Sequence, residues 1–86
     1  VKSIQKTVTT TASKIIDAYP VNRQVYIHVV GNGIVYLGDS TVTTSNGFLT
    51  EKNAIPFVFN IPANETIWAV IGTGTDDLRI LLPDGA

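Results

Sequence analysis

The chain has no cysteine, a single histidine, a single tryptophan and little charge: Asp, Glu, Lys and Arg together make up 15% of its 86 residues. Without cysteine it forms no disulfide and offers no thiolate to a metal, and His28 alone cannot complete a zinc ligand set. A chain of this length is one domain with a limited core, and with no covalent staple the remaining common support for so small a scaffold is self-association. The charged share lies well below the roughly 25% usual in soluble domains. Net charge is −1, and the clustered basic face expected of a nucleic-acid binder is missing, so nucleic acid is not an expected partner. The longest apolar run, Ile67 to Ile71, is far too short to cross a bilayer, so no membrane partner is expected either. Residues 1–16 carry Lys2, Lys6 and Lys14 but no apolar central run, and no signal peptide is expected there.

What is present is a hydrophobic fraction of 44% on a background of Thr, Ser and Asn. An uncharged polar surface suits packing against another protein without desolvating ions. Strand signals dominate. Residues 24–30 alternate, placing Val25, Ile27 and Val29 on one face; Gly31-Asn32-Gly33 reads as a turn, and Ile34 to Leu37 as the second strand of a hairpin, closed by Gly38-Asp39. Residues 55–61 alternate with Ile55, Phe57, Phe59 and Ile61 inward, and Pro56 puts this strand at a sheet edge or at its own start. Pro62 to Glu65 is a turn, and Thr66 to Ile71 is apolar on both faces and therefore central. Gly72 to Asp77 is a loop; Leu78 to Leu82 follows with Leu78, Ile80 and Leu82 inward and Arg79 outward, then a short tail, Pro83 to Ala86. Ile4 to Thr11 is Thr-rich and β-prone, and Ser13 to Ala18 favours a strand over a helical turn because of its β-branched pair. Between Thr41 and Asn53 turns outnumber strands, with brief pairing expected at Thr41-Val42-Thr43.

No segment has helical periodicity over three turns, and no fixed-period repeat or interdomain linker is found. The expected fold is all-β: a small antiparallel β-sandwich or barrel of about six to eight short strands with an extended N-terminal arm. Residues 1–12 form the arm or an edge strand, and residues 13–86 a single sandwich domain.

Chemistry-bearing groups are sparse. His28 falls on the polar face of its strand beside Tyr26 and has no recognisable nucleophile or orienting carboxylate, so it reads as a surface or interface residue. Asp76-Asp77, with Asp39 and Glu65, does not match a calcium loop in length or spacing; a solvated turn, with Asp77 bracing the next strand, fits better. Gly72-Thr73-Gly74 lacks the third glycine and following helix of a dinucleotide fingerprint. Like Gly31-Asn32-Gly33, it reads as a turn requiring positive φ. Ser40 and Ser45 lack a nucleophile-elbow setting. Asn64-Glu65-Thr66 has the form of a glycosylation acceptor, with nothing else pointing to a secretory route. Trp68, Tyr19, Tyr26 and Tyr36 suit a core or an interface better than a ligand-stacking platform, although they leave a carbohydrate-recognition module as the second reading. No enzyme activity, cofactor or metal is expected.

Across nearly the whole chain, a set of short runs resembles small structural proteins of tailed-bacteriophage virions, of the head decoration, head fibre or minor capsid type. The runs are Val8-Thr9-Thr10-Thr11-Ala12, Ile15-Ile16-Asp17-Ala18, Asn22-Arg23-Gln24-Val25-Tyr26-Ile27, Val35-Tyr36-Leu37-Gly38, Val42 with Gly47-Phe48-Leu49, Ile67-Trp68-Ala69-Val70 and Leu78-Arg79-Ile80-Leu81. The resemblance implies a virion protein on the outer capsid surface, commonly a trimer, that binds the major capsid protein and itself and clamps neighbouring capsomers. Related sandwiches also occur in tail and fibre parts, and a small carbohydrate- or protein-recognition module in such a part is the alternative reading. Such proteins work through surfaces, so no invariant site residue carries over. The interface is expected to draw on Lys2, Ile4, Lys6 and Val8 of the arm, together with Tyr19, Tyr26, His28 and Phe48.

Overall fold

The computed structural model describes residues 1–84; the last two residues of the expected tail and domain lie outside the described part. Eight strands follow in chain order: β1 (Lys2–Val8), β2 (Ser13–Ile16), β3 (Arg23–Val29), β4 (Val35–Gly38), β5 (Phe48–Thr50), β6 (Phe57–Ile61), β7 (Ile67–Ile71) and β8 (Asp76–Leu82). They form two four-stranded sheets, ordered β1-β8-β3-β6 (sheet A) and β2-β7-β4-β5 (sheet B), with every pairing antiparallel.

The pairing has a simple logic. The first strand pairs with the last, β2 with β7, β3 with β6, and β4 with β5. The chain is thus one long antiparallel ribbon whose tip is the β4–β5 hairpin. Successive rungs of the ribbon alternate between the sheets, and the rungs within each sheet are joined through β3–β8 and β4–β7. An eight-stranded ribbon rolled in this way is the jelly-roll form of the β-sandwich.

Period-two alternation sets the core. In β3, Val25, Ile27 and Val29 are fully buried while Gln24, Tyr26 and His28 are exposed, and β8 buries Leu78, Ile80 and Leu82 on the same side of sheet A. Sheet B contributes Val35, Leu37, Ile67, Ala69 and Ile71 to the same cluster. In β2 a register shift between Lys14 and Ile16 lets two consecutive residues, Ile15 and Ile16, both reach the core. Trp68 and Val70 of the interior strand β7 point to the outer face of sheet B.

The structure departs from the expected one in several places. The hairpin of residues 24–37 does not form: β3 and β4 lie in different sheets, and Gly31-Asn32-Gly33 carries the chain across the sandwich. The cause is Asp76, which is buried and begins β8 instead of ending a solvated loop. Its carboxylate accepts the amides of Gly31 and Gly33, both at 2.8 Å, as well as that of Asp77. A Cβ at Gly31 would collide with Asp76 Oδ1. This turn therefore needs glycine for close approach and not for positive φ, which occurs at Gly74 and Asn64.

Of the two expectations for residues 1–12, an arm or an edge strand, the edge strand is the one seen: β1 pairs with β8 along its whole length. In residues 55–61 only Ile61 is fully buried. Phe57 packs partly on the core, Phe59 is 45% exposed, and Ile55 precedes the strand at 88% exposed. As an edge strand, β6 leaves its inward side chains at the open side of the sandwich. Thr41-Val42-Thr43 does not pair: Asp39 to Val42 form a turn, with Val42 N–H donating to Asp39 O, and the pairing strand is β5.

Candidate functional site

Among the described residues no cluster of three or more His, Cys, Asp or Glu could hold a metal. What the fold presents is surface, and three parts of it group apolar side chains together, apart from scattered exposed ones such as Val21, Val30, Ile34 and Leu49.

The first is the outer face of sheet A. Register places Leu81 opposite Tyr26, and Tyr26 opposite Val58. These three side chains, 41%, 44% and 42% exposed, form one row across β8, β3 and β6, about 10 Å long from the spacing of adjacent strands. His28 and Arg79 stand opposite each other in the next row, beside a shallow depression that Ser3 and Pro56 also line. The rest of the face is Ser3, Gln5, Thr7, Gln24 and Asn60, with Asp77 holding the Thr7 hydroxyl at 3.0 Å. The outer face of sheet B differs, because the loop after β4 folds back over it. Val42 and Val70 are buried there, and a Cβ at Gly47 would meet Tyr36 Cβ at 2.5 Å. Sheet A is thus the barer face, although Leu49, opposite Tyr36 at the edge of sheet B, is itself exposed.

The second place is the open side between β5 and β6. Phe48 and Phe57 have ring centroids 5.4 Å apart, and Phe57 stacks on Phe59 at 5.9 Å. The rings line a groove of about 510 Å³ whose floor is Leu37 and Ile67 and whose rim carries Asp39 and Glu65. β5 starts opposite Leu37, so Gly38 at the end of β4 is paired with β7 but has no partner on the β5 side, where the groove lies. Asp39 is held below the usual carboxylate range by the Thr41 hydroxyl, which donates to it at 2.6 Å, and secondly by the Thr41 amide at 2.8 Å.

The third is the opposite open side, between β1 and β2. Ile4, Ile15 and Leu82 line a cleft of about 450 Å³ that Lys2 and Lys6 border. Lys14 is paired with Asp17 at 3.2 Å.

The residues expected at an interface therefore divide among surfaces. Lys2, Ile4 and Lys6 border the β1/β2 cleft, Tyr26 and His28 lie on the barer face, and Phe48 opens the aromatic groove. Val8 is fully buried and has no surface to offer, because β1 turns it into the core. Tyr19 is half-buried, with the Arg23 guanidinium 5.5 Å from its ring. Arg23 itself is buried and ties two crossovers together by donating to the carbonyls of Asp17 and Glu65. Trp68 is half-buried on the outer face of sheet B with its indole N–H on the Thr66 hydroxyl, so it and Tyr26 stand on opposite outer faces. Leu81, Val58, Phe57 and Phe59 were not among the expected interface residues. For Phe57 and Phe59 a signal was available: Pro56 marks an edge strand, and an edge strand's inward residues are the least covered.

No protein-family model matches the chain, no curated protein matches its sequence, and no solved structure matches its fold.

Proposed function

We propose that the protein is a non-enzymatic structural subunit of a tailed-bacteriophage virion, seated on the outer surface of the head and binding the major capsid protein lattice and itself. The observation that carries this reading is the outer face of sheet A, where Tyr26, Leu81 and Val58 form an apolar row with Asp77, Arg79 and His28 as its ionisable neighbours among the described residues. A Tyr-centred apolar strip on a charge-poor surface has the composition of a protein-binding patch. The jelly-roll connectivity adds support by analogy, since that architecture recurs in capsid domains. So does the resemblance of the sequence to phage virion proteins.

The test is mass spectrometry and antibody-gold labelling of density-banded particles from a strain carrying the gene. The protein is expected in the band and on the heads. Tyr26→Asp, at an exposed position, is expected to lower its occupancy by at least about tenfold, the usual effect of losing a central anchor, while leaving the circular dichroism spectrum unchanged. Banded heads that lack the protein contradict the proposal.

A further inference from the structure

The two open sides of the sandwich are at opposite ends of the sheets, β1 and β2 at one end and β5 and β6 at the other. The phenylalanine groove is apolar inside, while the β1/β2 cleft mixes Ile4, Ile15 and Leu82 with polar groups, Gln5 and the Lys14-paired Asp17 among them. The rim charges left without an ionic partner among the described residues differ in sign. Asp39 and Glu65 border the phenylalanine groove, and Lys2 and Lys6 border the β1/β2 cleft; none of these four has an ionic partner among the described residues. We propose that the occupant of the phenylalanine groove is a second copy of this chain, whose β1/β2 side docks there with Lys2 and Lys6 facing Asp39 and Glu65. This deepens the virion reading by assigning the self-contact to a surface separate from the outer face of sheet A.

The geometry has consequences. Two different patches meet, so the contact is head-to-tail and generates a ring where the rotation closes and a filament where it does not. Backbone pairing between edges is disfavoured. Lys2 and Lys6 are inward-pointing charges on edge strand β1, and Pro56 and Pro62 flank edge strand β6. Side chains therefore carry the contact: the exposed Phe48 and Phe59 supply apolar area, and the rim charges set orientation.

Charge reversal tests this directly, read by sedimentation velocity and light scattering. One variant combines Asp39→Asn with Glu65→Lys; Asn keeps an acceptor for Thr41, so the turn survives. The other combines Lys2→Glu with Lys6→Glu. Wild type is expected to self-associate at micromolar to millimolar concentrations, and more weakly as salt rises. Each variant alone is expected to associate at least about tenfold more weakly, and an equimolar mixture of the two to recover association, because each then offers a complementary side. Phe48→Ser, at a 63% exposed position outside the core, is expected to weaken association without altering circular dichroism. Three results each overturn the proposal: wild type monomeric throughout, variants that associate like wild type, or a mixture that fails to recover. Head-bound protein that stays monomeric in solution overturns this contact and leaves the virion reading intact. Association by this route in a protein missing from virions does the reverse.

Discussion

Asp76 is a buried carboxylate that ties two distant parts of the chain together. Its carboxylate takes the amides of Gly31, Gly33 and Asp77 and so fixes the point where the chain leaves sheet A for sheet B. Replacing it with Ala strands partly buried donors, and Asp76→Ala is expected to lose about 3 kcal/mol, out of about 5–10 kcal/mol for a domain of this size. Urea denaturation should show a large fall in midpoint; a change below about 0.5 kcal/mol would mean that water replaces the carboxylate at little cost. Asp39 gives a second prediction. The Thr41 hydroxyl and amide lower its pKa, so what the turn contributes is fully present above the ordinary aspartate range and lost as pH falls through the lowered value. In an NMR titration Asp39 should protonate below the ordinary aspartate range, and Thr41→Val, which removes the larger of the two causes, should move its midpoint back up. Had local sequence been the guide, neither role would be visible, since Gly31-Asn32-Gly33 between two β-prone runs has the chemistry of a hairpin turn. The partner that redirects it is 45 residues away along the chain, and nothing in the turn encodes that distance.

At the level of elements, alternation made most strands legible. The two buried sets, Val25, Ile27, Val29 and Leu78, Ile80, Leu82, face the core as their spacing predicts, and the doubly apolar run at Ile67 to Ile71 is an interior strand. Alternation reports which side of a strand faces inward but not how well that side is covered, and coverage depends on the strand's place in its sheet. This is why Phe59 has inward parity and yet is 45% exposed, and why the phenylalanine groove was hidden in a pattern that reads as core. The three-residue β5 was missed because so short a run carries almost no periodic signal. Hydrogen exchange should follow sheet position: the amides of β8, β3 and β7 are expected to exchange slowest, those of β5 and β6 fastest among the strands. Protection in β6 equal to that in β8 would show that its edge is covered in solution.

As a whole molecule the protein is a body of 33 × 24 × 18 Å, held by pairings between the two ends of its chain and without a covalent staple. On the proposed reading, its contacts divide between a charge-poor face on sheet A and two open sides whose unpaired rim charges differ in sign. The general character of such a surface could be read from composition, because low charge and abundant threonine describe the whole exterior. Its layout could not, because Tyr26, Leu81 and Val58 become neighbours only through the β8-β3-β6 register. The central claim, that this face binds a phage head, is tested most directly by electron cryomicroscopy of particles from a strain carrying the gene. The expected map has copies of this jelly roll on the outside of the shell, with the Tyr26, Leu81 and Val58 row against the capsid protein. A shell whose outer density is fully explained by other proteins, or copies bound with that row facing solvent, would contradict it.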